Sequence, residues 1–125
     1  MAAKGFRIST DPGRNIVRIR LWGFWDVDDA KAYWEEFQRQ TGPLSGQKWY
    51  ILADISEFAP QRVEVNEYYE RSMVYSRAHG MVKAANLVSS VVTQMQIARM
   101  SGASSLPAYS FFQSELEAVQ WLLKD

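Results

Sequence analysis

The strongest feature of the hydrophobic pattern is an apolar run at residues 49–56, Trp-Tyr-Ile-Leu-Ala-Asp-Ile-Ser, bounded by Lys48 and Glu57. A run of this length, aromatic or β-branched at several positions and closed by polar residues, is the pattern of a strand buried on both faces. It is predicted to be the central strand. Segments with apolar residues at helical spacing lie on either side, residues 27–37 and 63–79, so helices are expected to cover the sheet.

Upstream, residues 6–10 alternate apolar and polar. Asp11-Pro12-Gly13-Arg14-Asn15 follows, where proline fixes one φ and glycine frees another, so a hairpin turn is expected. The returning strand, residues 16–22, sets Val17, Ile19 and Leu21 on one face and Arg18 and Arg20 on the other. This predicts arginines facing solvent near a sheet edge. Asp26 is placed to cap the first helix, and Asp28 and Asp29 sit in its first turn, where carboxylates meet the positive end of the dipole. The packed face of that helix is Val27, Ala30, Tyr33, Trp34 and Phe37, and Gly42-Pro43 ends it, the glycine being expected in the left-handed conformation.

After the central strand, the second helix turns Val65, Tyr68, Tyr69, Ser72, Met73 and Ser76 inward and stops at Gly80. Residues 83–89 read as another buried strand. A short helix starting at Ser90 or Thr93 and ending at Ser101-Gly102 comes next, then a strand at residues 106–112. Ser114 and Glu117 have the spacing of a capping box for a last helix, whose broad apolar face is Leu116, Ala118, Val119, Trp121, Leu122 and Leu123. The predicted architecture is a single α/β domain over residues 1–125. Its mixed sheet has about five strands with four helices, in the order β-β-α-β-α-β-α-β-α, an antiparallel pair first and right-handed crossovers after it.

Composition narrows the function classes. Fourteen basic and fourteen acidic side chains cancel, so no long-range field favours nucleic acid or an anionic membrane surface. The absence of cysteine excludes a disulfide framework and thiolate metal sites. Met1-Ala-Ala-Lys-Gly has no apolar core after its lysine, and the longest uncharged stretches carry polar residues or Pro107. No signal peptide and no membrane insertion are therefore expected, and the chain reads as a cytoplasmic protein.

The pattern resembles the STAS fold, the domain of anti-sigma-factor antagonists, and more closely its SpoIIAA-like relatives in the wider STAS and Sec14 grouping. The resemblance spans nearly the whole chain. It is carried by residues 21–25 (Leu-Trp-Gly-Phe-Trp), 51–56 (Ile-Leu-Ala-Asp-Ile-Ser), 86–100, and 111–115 leading into 118–122. It implies a binding or regulatory domain. In the antagonists, phosphorylation falls on a serine in an Asp-Ser-Ser-Gly or Asp-Ser-Gly segment at the start of the second helix. The corresponding stretch here, residues 60–65 (Pro-Gln-Arg-Val-Glu-Val), contains no hydroxyl. No phosphorylation site carries over.

Few groups are available for catalysis. His79 is the sole histidine. A triad of Ser56, His79 and Asp54 would need His79 near the loop that feeds the second helix, yet the histidine lies at that helix's far end, about 24 Å away at 1.5 Å per residue. A solvent-facing histidine at a helix C-terminus is the expectation. Asp54-Ile55-Ser56 reads as a turn that satisfies backbone amides. Asp26, Asp28 and Asp29 lack the alternating ligands and glycine of a calcium loop. Gly102-Ala103-Ser104-Ser105 lacks the lysine of a phosphate loop. Trp22, Phe24 and Trp25 have no basic stripe beside them that would mark stacking of bases. No catalytic residue, metal or cofactor is expected.

One stretch departs from the average. Residues 84–114 carry a single charge, Arg99, where an even spread would place about seven. Within it, Val91, Met95 and Ala98 make one apolar stripe of the third helix, and Ile97 and Met100 fall outside that stripe. A surface helix apolar on two sides has a second thing to touch. Two readings follow: a homodimer or protein-partner surface at Gln94, Ile97 and Met100, or deeper burial of this helix inside the monomer. The alternative, from the Sec14 side of the resemblance, is a small apolar ligand held between the sheet and the third helix and lined by Met95, Met100, Phe112 and Trp121. The primary reading is a non-enzymatic binding or regulatory module.

Overall fold

The structure is a computed structural model and describes residues 3–89 and 109–124. Among these, five strands form one sheet in the order β1-β2-β3-β4-β5: β1 Gly5–Asp11, β2 Ile16–Gly23, β3 Trp49–Phe58, β4 Met81–Leu87 and β5 Tyr109–Phe112. The β1–β2 pair is antiparallel and every later pair is parallel. Three α-helices accompany them: α1 Val27–Thr41, α2 Val63–Ala78 and α3 Glu115–Leu123. The helix expected to start at Ser90 or Thr93, and with it the four-helix order, lies outside the described residues.

The run at residues 49–56 is the middle strand, as its composition predicts. Both of its faces are buried. Trp49, Ile51, Ala53 and Ile55 pack beneath α1 and α2 in the larger core, which also takes in Val17, Ile19, Leu21, Trp25, Tyr33, Phe37, Tyr69 and Met73. Leu52 belongs to a second, smaller core on the opposite face, with Ile16, Ala85, Ala118 and Leu122 beneath α3.

Several local expectations need correction. Helix α1 ends at Thr41, before Gly42-Pro43 as expected, but Gly42 is right-handed (φ −50°, ψ −47°), because the chain continues into a 3-10 turn over Gly42–Leu44 before it breaks. The left-handed glycine of this connection is Gly46, at φ +88°. In the β1–β2 turn the left-handed residue is Asn15 (φ 54°), not Gly13; its side-chain amide donates to the Lys48 carbonyl at 3.1 Å. Arg18 and Arg20 do not lie at an edge, since β2 is an interior strand. Helix α3 buries a narrower face than its sequence offers: Leu116 is 68% exposed and Leu123 43%, leaving Ala118 and Leu122 as the buried anchors. Ser114 Oγ accepts from the Glu117 amide, the forward half of the predicted box.

Candidate functional site

Among the described residues the sheet is covered unequally. On the face opposite α1 and α2, helix α3 packs on β3, β4, β5 and Ile16 at the start of β2, and no helix of the described residues lies over β1 or the rest of β2. The side chains there follow from strand period and register. Hairpin pairing sets Arg7 opposite Arg20 and Ser9 opposite Arg18. Parallel pairing continues these rows, from Arg20 to Asp54 and Leu87, and from Arg18 to Leu52 and Ala85. Arg7, Ser9, Arg18, Arg20, Leu52, Asp54 and Leu87, with Ile19 and with Glu115 from the first turn of α3, line an open cleft of about 200 Å³.

A register shift adjusts its charges. Between Arg20 and Trp22 the partner on β3 jumps from Asp54 to Glu57, so β3 carries one extra residue there. Such a bulge re-aims the side chains that follow it. The consequence is that Glu57 points to the arginine face and forms an ion pair with Arg20, Nη2 to Oε1 2.5 Å, while Phe58 joins the larger core. The extra residue also explains Ser56, whose amide and hydroxyl both donate to Asp54 Oδ1, at 3.1 and 2.6 Å. Arg20 is further held by its guanidinium lying 5.4 Å from the Trp22 ring centre. That ring crosses the neighbouring strand at Gly5, where a Cβ would sit 2.8 Å from it.

The other two arginines are less committed. Arg18 reaches Glu115 at 3.5 Å, a long ion pair between a side chain 34% exposed and one 62% exposed. Arg7 has no ion pair or hydrogen bond among the described residues and stands directly opposite Arg20. Like charges placed directly across an antiparallel pair repel.

The residues singled out in sequence fall as follows. Asp54 and Ser56 are together, and their bonding is the local turn chemistry predicted for them. His79 is at the opposite end of β3: the Trp49 indole donates to the His79 carbonyl at 2.9 Å, and its ring stacks on Tyr75 with centroids 4.1 Å apart. The seven steps from Trp49 to Ser56 span about 23 Å along a strand. No triad forms. The histidine is half-buried against Tyr75 rather than solvent-facing.

At the start of α2, where the antagonists carry their serine, Gln61 is buried and ties the loop: it accepts from Trp25 N at 2.8 Å and donates to the Gly23 and Ala59 carbonyls. Arg62 stacks on Phe24, 5.1 Å from its ring centre. Among the described residues no group of three or more acidic or imidazole side chains is placed to hold a metal. Asp26 instead caps α1 in a reciprocal box with Asp29. Phe112 and Trp121 pack on each other, 5.5 Å between centroids, and Lys83 pins Trp121 by donating to its carbonyl at 2.8 Å and lying 5.1 Å from its ring centre. Gln94, Met95, Ile97 and Met100 lie outside the described residues. No helix of the described residues is long and apolar enough to cross a membrane.

Sequence reasoning missed Arg7, the bulge and Glu57. The signal for Arg7 was available, because a hairpin centred on residues 11–16 pairs residue 7 with residue 20. Nothing local marks the bulge.

No protein-family model and no curated protein matches the chain. Among solved structures it is similar to an uncharacterised protein of the DUF3478 family with a SpoIIAA-like fold, from Shewanella loihica PV-4. The TM-score is 0.75 at 12% identity, over 98% of this chain and 97% of that one. The chain therefore has a SpoIIAA-like α/β fold.

Proposed function

We propose that the chain is a non-enzymatic binding or regulatory module that works through protein–protein contacts without a phosphoserine switch. The observation that carries this reading is the open half of the sheet, where Arg7 is unpaired among the described residues and Arg18 is loosely paired beside an apolar floor. Conformationally fixed strand residues make such a surface specific at small entropic cost. Two features support the absence of chemistry: the Ser56 hydroxyl is spent on Asp54, and the sole histidine is at the other end of the strand. The loop feeding α2 has no hydroxyl to phosphorylate.

The test is a double charge reversal, Arg18→Glu with Arg20→Glu, compared with Val63→Ala, an exposed site at the start of α2. After crosslinking in its native cells, wild type and Val63→Ala should retrieve one shared protein partner, and the folded double variant should lose it. Retrieval of the same proteins by the double variant would contradict the reading. On the sequence pattern we also propose Gln94, Ile97 and Met100 as a homodimer or partner surface. Sedimentation should show a concentration-dependent dimer that Met100→Glu abolishes, and a wild type monomeric at high concentration would remove the self-association.

A second reading, a carrier of a small apolar ligand, is favoured by the adjacent, partly exposed rings of Phe112 and Trp121. Native mass spectrometry of freshly purified protein should then show a co-purifying adduct.

A further inference from the structure

We infer that the arginine-lined cleft takes a single carboxylate group, bound between Arg7 and Arg18, and that Glu115 is its resident competitor. The inference rests on the reading of this face as the recognition surface and names what it recognises.

The three guanidinium groups are unequally satisfied. Arg20 is held by Glu57 and Trp22. Arg18 has only the long contact to Glu115, and Arg7, opposite Arg20, has no partner among the described residues. Like-charge repulsion across β1 and β2 is relieved by an anion placed between the strands. A guanidinium presents a planar fork of donors that matches a carboxylate. The floor of Leu52 and Leu87 is apolar, which strengthens a charge contact made above it and accepts a short methylene stem.

Two further observations favour a carboxylate over a phosphate. Asp54 and Glu115 line the cleft and Glu57 stands at its side. With Glu115 swung out into solvent, three guanidinium groups face Asp54 and Glu57, and one monoanion balances them; a phosphate dianion leaves an excess of negative charge. The second observation is Glu115 itself, a carboxylate on a short apolar stem that already reaches Arg18. It belongs to the first turn of α3, where the helix dipole favours a carboxylate whether or not Arg18 is near, so it can be displaced without unwinding the helix. The volume of about 200 Å³ equals roughly six or seven waters at ~30 Å³ each. That suits one acidic side chain or a short free acid.

The test is a titration followed on the Nε–Hε signals of the arginines in the intact protein. The probes are sodium butyrate, the capped peptide acetyl-Ala-Glu-Ala-amide, its glutamine counterpart and inorganic phosphate. Butyrate and the glutamate peptide should shift Arg7 and Arg18 saturably, phosphate should bind more weakly, and the glutamine peptide should leave both unmoved. Glu115→Gln should tighten carboxylate binding several-fold, and Arg7→Gln or Arg18→Gln should weaken it about tenfold or more, as for loss of a charged hydrogen bond. Tighter binding of the peptide assigns the group to a partner's acidic side chain; binding of butyrate alone assigns it to a free acid.

The inference is overturned if Glu115→Gln leaves binding unchanged or weaker, if the arginine variants bind like wild type, or if no carboxylate binds. Glu115→Gln alters an exposed side chain and keeps the result readable should an arginine variant fail to fold. Failure here leaves the partner loss expected of the double charge reversal to stand or fall separately.

Discussion

Asp26 closes α1 by accepting from the Asp29 amide at 3.0 Å, while Asp29 returns the bond to the Asp26 amide and Lys4 binds both carboxylates. The amide bond first, and then Lys4, hold the Asp26 carboxyl down at about 2, from an ordinary 3.8. A folded-state value below the unfolded one means that this group's contribution is complete above about pH 4 and is lost as pH falls through 2. Asparagine keeps the cap and removes the charge. Thermal unfolding between pH 5 and 2 should therefore show wild type more stable than Asp26→Asn at pH 5, with the gap closing towards pH 2. A gap constant across that range would contradict this. The cap was legible because it depends on residues three apart. Asn86 was not: it occupies a core-facing position on β4, where Tyr109 donates to its Oδ1 at 3.2 Å and Tyr69 lies 3.5 Å from the same atom. Burial and the two neighbouring tyrosines, Tyr109 and Tyr33, hold the Tyr69 phenol well above its ordinary range. The partners of that asparagine come from two other elements, α2 and β5, which no single window of sequence contains.

At the level of elements, the connections separate what residue type dictates from what packing decides. Glycine followed by proline ends α1 as the sequence predicts, yet the glycine is helical and a Cβ on it meets nothing within 4 Å. Gly80 after α2 is left-handed at φ +108°, and a Cβ there would sit 2.1 Å from the Gln47 carbonyl oxygen. The two should respond oppositely to the same substitution. Gly42→Ala should stabilise by about 0.4–1 kcal/mol, through the unfolded chain, and Gly80→Ala should destabilise by more than that. Denaturant midpoints measure both, and equal responses would contradict the assigned conformations. Among the described residues, helix and strand existence was legible from period and composition. Boundaries moved where a neighbour intervened: β4 starts at Met81, two residues before the predicted strand, because Met81 pairs with Trp49 and a register shift follows that pair. Leu116 and Leu123 looked buried because the helical stripe is wide, but α3 touches a part of the sheet too narrow to cover all of it.

For the whole molecule, the doubly buried strand implies covers on both faces, and the two cores fulfil that. What the pattern does not reveal is that, among the described residues, the second cover stops short of β1 and of β2 beyond Ile16, since alternation of Arg18 and Arg20 with apolar residues is equally the pattern of an ordinary solvated face. Only register, which sets Arg7 against Arg20, and the bulge, which turns Glu57 onto Arg20 alone, distinguish a charged cleft from a scatter of surface arginines. That distinction is tested most directly by labelling the native protein with an arginine-selective dicarbonyl and reading each site by mass spectrometry. Arg7 should react first, Arg20 should be slowed by Glu57 and Trp22, and Glu57→Gln should release Arg20 without changing Arg7. Uniform protection of Arg7, Arg18 and Arg20, or a rate for Arg20 that matches Arg7 in the wild type, would contradict an open cleft with one arginine held and another free.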